Sequence, residues 1–207
     1  MFHRVFIVVA ALFAALVLVP GALAVKVHVR VEGKTRTIYG ATAPLIDVTS
    51  PRANPLPENA LDALESASSL GEFFYHVTQT SFGSYVDQVG RYAAVGQTGW
   101  VFKLNGVSPP VGANDALLKT GDTVLWYWAQ FGVAGGPKTL VLSRSGRCYT
   151  AQQQDDNGKS SSANGAVLRV GSRRPVPMQN GRACIAAHRG LLVRAELGGA
   201  VRSNALP

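Results

Sequence analysis

Hydrophobic and polar residues alternate strictly over residues 25–31, Val-Lys-Val-His-Val-Arg-Val, placing the valines on one face and Lys26, His28 and Arg30 on the other. A period of two is that of a half-buried β-strand, with the polar face in solvent. Gly33-Lys34 marks a turn and residues 35–39 read as the returning strand. A proline-rich connection follows (Pro44, Pro51, Pro55, Pro57). The spacing then becomes helical. Leu61 and Leu64 share one face of residues 58–67, acids stand near the start, and Gly71 lies just beyond. Asp62 and Glu65 are expected on the exposed face of that helix. Residues 72–80 and 85–89 read as strands, joined through Phe82-Gly83-Ser84-Tyr85.

All three tryptophans lie between Gly99 and Trp128. Trp100, Phe102 and Leu104 alternate on one face of a first strand; Val124, Trp126 and Trp128 share a face of a second, with Leu125 and Tyr127 opposite. Each strand adjoins a two-residue turn signal, Asn105-Gly106 and Gly121-Asp122. A hairpin, one helix and further strands make a β-grasp-like plan, a sheet with a helix across one face. Past Gly135-Gly136-Pro137, short apolar runs at residues 139–142, 166–170, 182–187, 191–195 and 200–203 are mostly separated by Gly or Asn turns, the pattern of a small β-sandwich. Residues 152–164 are polar and read as a mobile loop. The expected fold is mainly β: an α+β first domain at residues 25–134, a linker at 135–138, and a basic sandwich at 139–207.

The N-terminus sets the expected address. Residues 5–19 are apolar and uncharged, preceded by Arg4 and followed by Pro20-Gly21 and Ala22-Leu23-Ala24. That makes residues 1–24 a signal peptide, since the run is short of the roughly twenty residues of a comfortable span. The chain reads as secreted, with an uncleaved N-terminal anchor at the cell surface as the alternative. No later run is long enough for a transmembrane span. In an exported chain the cysteine pair, Cys148 and Cys184, reads as one disulfide.

Charge separates the two halves. Residues 25–135 carry eight Lys and Arg against nine Asp and Glu, while residues 136–207 carry eleven against three. The excess suggests an anionic envelope polymer as partner, with Arg169, Arg173 and Arg174 as contact candidates; outward-facing arginines that keep a small domain soluble are the alternative. Tyr149 is the single aromatic residue of this half, so the stacking platform of a single-strand nucleic-acid binder is missing and nucleic acid is not expected.

Catalytic motifs are lacking. Beyond the leader the histidines are His28, His76 and His188. Ser145 has no G-x-S-x-G elbow, and neither Walker nor Rossmann glycine spacing occurs. His76 with Asp87, on neighbouring strands, is the competing acid–base pair. Asp155-Asp156-Asn157-Gly158 lacks the rest of a calcium loop and reads as a turn. No enzyme activity, metal site or resident cofactor is expected.

A leading strand, the Ala-Leu-Asp-Ala-Leu helix, Ser-Phe-Gly-Ser-Tyr-Val, Gly-Trp-Val-Phe-Lys-Leu-Asn-Gly and Lys-Thr-Gly-Asp-Thr-Val-Leu-Trp follow in order. This string resembles the transcobalamin-like C-terminal domains, β-grasp-like modules of uncharacterised role on bacterial exported proteins, over about residues 25–132. The resemblance implies a binding module with a corrinoid (cobalamin) as ligand, although this chain has no room for the large helical domain that completes the site in transcobalamin. Asn105, Gly106, Gly121, Asp122 and Trp126 match the motif as turn and core residues. Tyr92, Trp100, Tyr127 and Trp128 are the candidates for an aromatic surface that would pack on a planar ring or a sugar. Residues 193–204 resemble, weakly, the transthyretin-like or carboxypeptidase-regulatory-like sandwiches. The expected function is an exported binding module for a corrinoid-like ligand, or an envelope-interaction protein using its basic sandwich.

Overall fold

The computed structural model describes residues 24–49, 58–81, 83–132 and 135–207. Residues 1–23 of the predicted signal peptide, Pro51, Pro55, Pro57 and Phe82 lie outside the described residues. In chain order the first half holds β1 (Lys26–Glu32), β2 (Thr37–Tyr39), β3 (Leu45–Asp47), α1 (Ala60–Gly71), β4 (Tyr75–Thr80), β5 (Gly83–Val89), β6 (Tyr92–Ala93), β7 (Thr98–Leu104) and β8 (Thr123–Gln130). The second half holds β9 (Thr139–Ser145), β10 (Cys148–Gln154), β11 (Ser160–Ser162), β12 (Val167–Val170), β13 (Val176–Pro177), β14 (Arg182–Cys184) and β15 (Val193–Glu196). The fold is mainly β with one helix, as the patterning predicts.

β1 is central. It pairs antiparallel with β2 and β3 along one edge and parallel with β8 along the other, and β7 closes the sheet antiparallel to β8. One face of this sheet carries Val27, Val29, Val31, Val124 and Trp126, and α1 covers it with Leu61 and Leu64. The helix begins at Asn59, whose side chain accepts the Leu61 and Asp62 N–H groups while Asp62 Oδ2 accepts the Asn59 N–H at 3.0 Å. This reciprocal cap satisfies amides that a helix start would leave orphaned. Asp62 is therefore buried at the cap and not on an exposed face. The Trp126 indole donates to the Ala60 carbonyl at 3.1 Å, tying sheet to helix. β4, β5 and β6 form a separate three-stranded sheet.

The two turn signals of the motif meet in space. Asn105 adopts φ 53°, and Gly106 and Gly121 adopt φ 84° and 94°, conformations that Gly and Asn tolerate best. Asn105 Nδ2 donates to Asp122 Oδ1 at 2.8 Å, Asn105 Oδ1 accepts the Thr123 N–H at 2.9 Å, and Asp122 Oδ2 accepts the Lys119 N–H at 2.8 Å. The motif residues thus lock β7 to the entry of β8.

The opposite face of the sheet departs from expectation. Its residues include Arg30, Glu32, Lys103, Leu125, Tyr127 and Ala129, and all are buried, Glu32 at 1% exposure. The second half docks on them. Val201 packs with Leu125, Tyr127 and Ala129. Lys103 Nζ donates to Thr139 Oγ1 and to the Gln154 and Asp155 carbonyls at 2.6–3.3 Å. Arg202 reaches Glu32 at 2.8 Å and the Gly33 carbonyl at 2.7 Å. His28 is half-buried, its Nδ1 2.8 Å from the Ala43 carbonyl. Strict alternation marks the two faces correctly, but the polar face here is an interface and not a solvated surface.

The second half is a sandwich. β10 pairs with β9 on one edge and with β11 and β14 on the other; β12, between β13 and β15, makes the second sheet. Leu140, Leu142, Tyr149, Leu168 and Val193 fill the space between. Two expectations fail. Residues 152–164 are not a mobile loop, because Gln152–Gln154 pair with Ser160–Ser162 on one side and residues 139–141 on the other. Residues 200–203 form no strand, only a bridge from Val201 to Thr139. Cys148 and Cys184 stand opposite each other on β10 and β14 and form the disulfide, which stabilises by about 3–4 kcal/mol in the chain-entropy treatment.

Asn105→Ala is expected to cost about 1–2 kcal/mol, through the lost turn bonds and a left-handed backbone that Ala disfavours; urea denaturation measures it. The docked face carries a pH signature. Burial, and then the Asp156 charge, push the Tyr127 hydroxyl from 10.0 up to about 12. The unfolded phenol ionises first, so this stabilisation is complete below pH 10 and is lost as pH rises toward about 12. The unfolding free energy from urea denaturation should fall across that window by about 2 kcal/mol more for the natural chain than for Tyr127→Phe.

Candidate functional site

A groove of about 570 Å³ opens where the Gly33-Lys34 turn faces the second half. Trp128, in β8, and Phe131, just past its end, give it aromatic lining, and Lys34 and Arg202 give it cations. A second cleft of about 560 Å³ shares Lys34, Ala200 and Arg202 and continues to Arg169 and Glu196. The two clefts adjoin at those three residues and are together called the groove. Trp128 is half-buried, and the Lys34 ammonium lies 5.1 Å from its ring centroid. A cation–π contact at an exposed site is worth only about 0.5–1 kcal/mol, so Lys34 is readily drawn away by an anion.

The groove is positive because each nearby carboxylate is shared. Glu32 receives Arg30 at 3.3 Å and Arg202 at 2.8 Å. Glu196 receives Arg169 at 2.8 Å and Arg194 at 3.1 Å. Two guanidiniums against one carboxylate leave each cluster with a single positive charge in excess, and Lys34 adds a third. The Glu32 cluster is buried, where charge is poorly screened.

The predicted surface residues separate. Trp100 is 2% exposed, with its indole donating to the Tyr92 carbonyl at 2.7 Å, and Tyr127 is 1% exposed beneath the second half. Both are buried core residues, although each also edges a smaller cleft of about 320 Å³ with Phe102, Trp126 and Phe131. Tyr92 packs on Gly33, where a Cβ would come within 2.5 Å of its ring, and its hydroxyl is 2.7 Å from Thr35 Oγ1. Of the four aromatic candidates, Trp128 lines the groove. Arg169 lines it too, already paired with Glu196, whereas Arg173 and Arg174 are exposed and away from it. Phe131, Lys34 and Arg202 escaped the sequence. Phe131 has one local signal, an aromatic residue against a glycine at a strand end. Lys34 and Arg202 have none, being brought together by docking.

The proposed acid–base pair does form. His76 Nδ1 lies 2.7 Å from Asp87 Oδ1, and Thr78 donates to Asp87 Oδ2. Burial would raise the Asp87 carboxyl, but the Thr78 and His76 hydrogen bonds outweigh it and hold the group below its ordinary value. The pair is solvent-exposed on β4 and β5 and lines none of the clefts described here. Asp155 Oδ1 accepts the Asn157 and Lys159 N–H groups, so the Asp-Asp-Asn-Gly segment is a turn. Among the described residues no three His, Cys, Asp or Glu side chains cluster as metal ligands, and no helix is long and apolar enough to cross a membrane.

Residues 58–130 match the family described as Domain of unknown function (DUF4430). The matched stretch runs from the cap of α1 to the end of β8 and includes the turn motif and Trp128. A solved structure similar to this chain comes from Ruminococcus gnavus ATCC 29149, where it is described as a candidate metal-binding protein. It is 14% identical, covers 52% of this chain and 99% of its own, and gives a TM-score of 0.38. No curated protein matches the chain.

With Trp100 and Trp126 buried, Trp128 is the tryptophan open to a collisional quencher. Acrylamide quenching of the natural chain should resolve an accessible fraction that Trp128→Phe abolishes.

Proposed function

We propose that the chain is an exported, non-enzymatic binding module whose ligand lies in the groove between its halves, and that the ligand is an anionic, ring-bearing envelope polymer. The observation that carries this reading is the row of cations Lys34, Arg202 and Arg169 that begins beside the half-exposed ring of Trp128. A ring with an apolar face stacks on Trp128, while its charged groups meet Lys34 and the groove arginines. The groove is long and open, which suits a chain better than a compact molecule. The disulfide fits an oxidising compartment such as the cell exterior.

A corrinoid is the second reading, favoured by the resemblance to transcobalamin-like domains. It has less support, since Trp100 and Tyr127 are buried and only Trp128 and Phe131 give this groove aromatic lining.

The test is a calorimetric titration with soluble teichuronic acid, whose uronic-acid rings carry carboxylates, and, separately, cyanocobalamin, at low and high salt. The polymer should bind with an affinity that falls steeply with salt, several-fold weaker in Lys34→Ala, in line with about 0.2–1 kcal/mol for an exposed ion contact, and weaker again in Trp128→Ala. Salt-insensitive or absent polymer binding overturns the first reading. Saturable cyanocobalamin binding that Trp128→Ala abolishes would establish the second.

A further inference from the structure

At the opposite end of the same strands, a separate cleft of about 530 Å³ lies between the sheet and the second half. Such a volume is typical of small-molecule sites. Arg30 and Lys103 line it, with side chains 6% and 1% exposed. His28 stands beside them, and Leu125 and Leu140 are buried apolar lining. No carboxylate belongs to the lining.

Arg30 is only partly satisfied. Its Nη1 donates to Glu32 at 3.3 Å and to the Arg202 carbonyl at 2.7 Å, while Nε and Nη2 have no partner among the described residues. Neither nitrogen is among the buried unpartnered side-chain atoms of the described residues, so both donors stay open to solvent, and they belong to a side chain that lines the cleft. Lys103 differs, since Thr139, Gln154 and Asp155 accept from its ammonium and Asp156 stands 3.8 Å from it. It contributes charge more than contact. His28 holds its Nδ1 on the Ala43 carbonyl, leaving Nε2 free.

We propose that this cleft is a second binding site, taking a small molecule by its carboxylate or phosphate group, with Arg30 as the anion's partner. A planar guanidinium with free donors suits an oxyanion. Leu125 and Leu140 accommodate an apolar body behind the charged group, and exposed Thr42 and Thr123 at the mouth meet solvent or ligand hydroxyls. The site does not rest on the polymer reading, because none of its lining residues lines the groove of Trp128; Arg30 touches that groove only through the Glu32 ion pair it shares with Arg202.

The test follows arginine Nε–H resonances of the full chain titrated with hexanoate and, in a second arm, with inorganic phosphate at low salt. One arginine resonance should shift saturably, and that resonance should be missing in Arg30→Gln. A response to hexanoate assigns the site to organic acids, and one to phosphate assigns it to phosphate esters. Arg30 also supports Glu32, so Thr42→Glu is the second variant. It sits at the exposed mouth and should weaken anion binding about tenfold by like-charge repulsion. Absence of a saturable shift with both probes, or undiminished binding in Thr42→Glu, overturns the proposal.

Discussion

The carboxylate of Glu32 is the contact on which the assembly of this chain turns. It leaves β1 on the face away from the helix, 1% exposed, and is met by Arg30 from its own strand, Thr37 from the next, and Arg202 from the second half. A buried carboxylate is expensive without partners and settles where several donors converge. The Glu32–Arg202 pair spans almost the whole chain, so satisfying one charge fixes how the two halves dock. Burial of Leu125, Tyr127, Ala129 and Val201 beside it supplies the apolar part of the same interface.

This docking explains both clefts. The halves touch through the middle of the sheet face, where Glu32, Tyr127 and Lys103 are covered, and diverge toward the two ends. At one end the exit of β1 and the end of β8 leave the groove with Trp128 and Phe131. At the other, the start of β8 and the strand β9 leave the cleft of Arg30. The basic excess of the second half is divided the same way. Arg202, Arg169 and Arg194 neutralise Glu32 and Glu196, and Arg202 and Arg169 also line the groove, whereas Arg173 and Arg174 lie away from it.

The matched family stretch, residues 58–130, contains the helix cap, the paired turns and the aromatic strands. These are the parts that build the sheet. The cations of the groove lie largely outside it, with Lys34 before it and Arg169 and Arg202 after it. Similarity over that stretch therefore speaks to the frame of the site more than to its chemistry.

The sequence determined much by itself. Strict alternation fixed the faces of β1, β7 and β8; the helix followed from leucine spacing with a polar cap; and Asn105-Gly106 and Gly121-Asp122 fixed turns, because left-handed backbone is a local property. An even cysteine pair was enough to predict the disulfide. The tertiary structure alone decided which faces meet water. Alternation separates two sides of a strand but cannot say whether the polar side is solvated or docked, which is why Arg30 looked exposed and Tyr127 looked available. Burial is a property of what packs against a surface, and for these two that partner is Val201 or Arg202, more than seventy residues further along the chain.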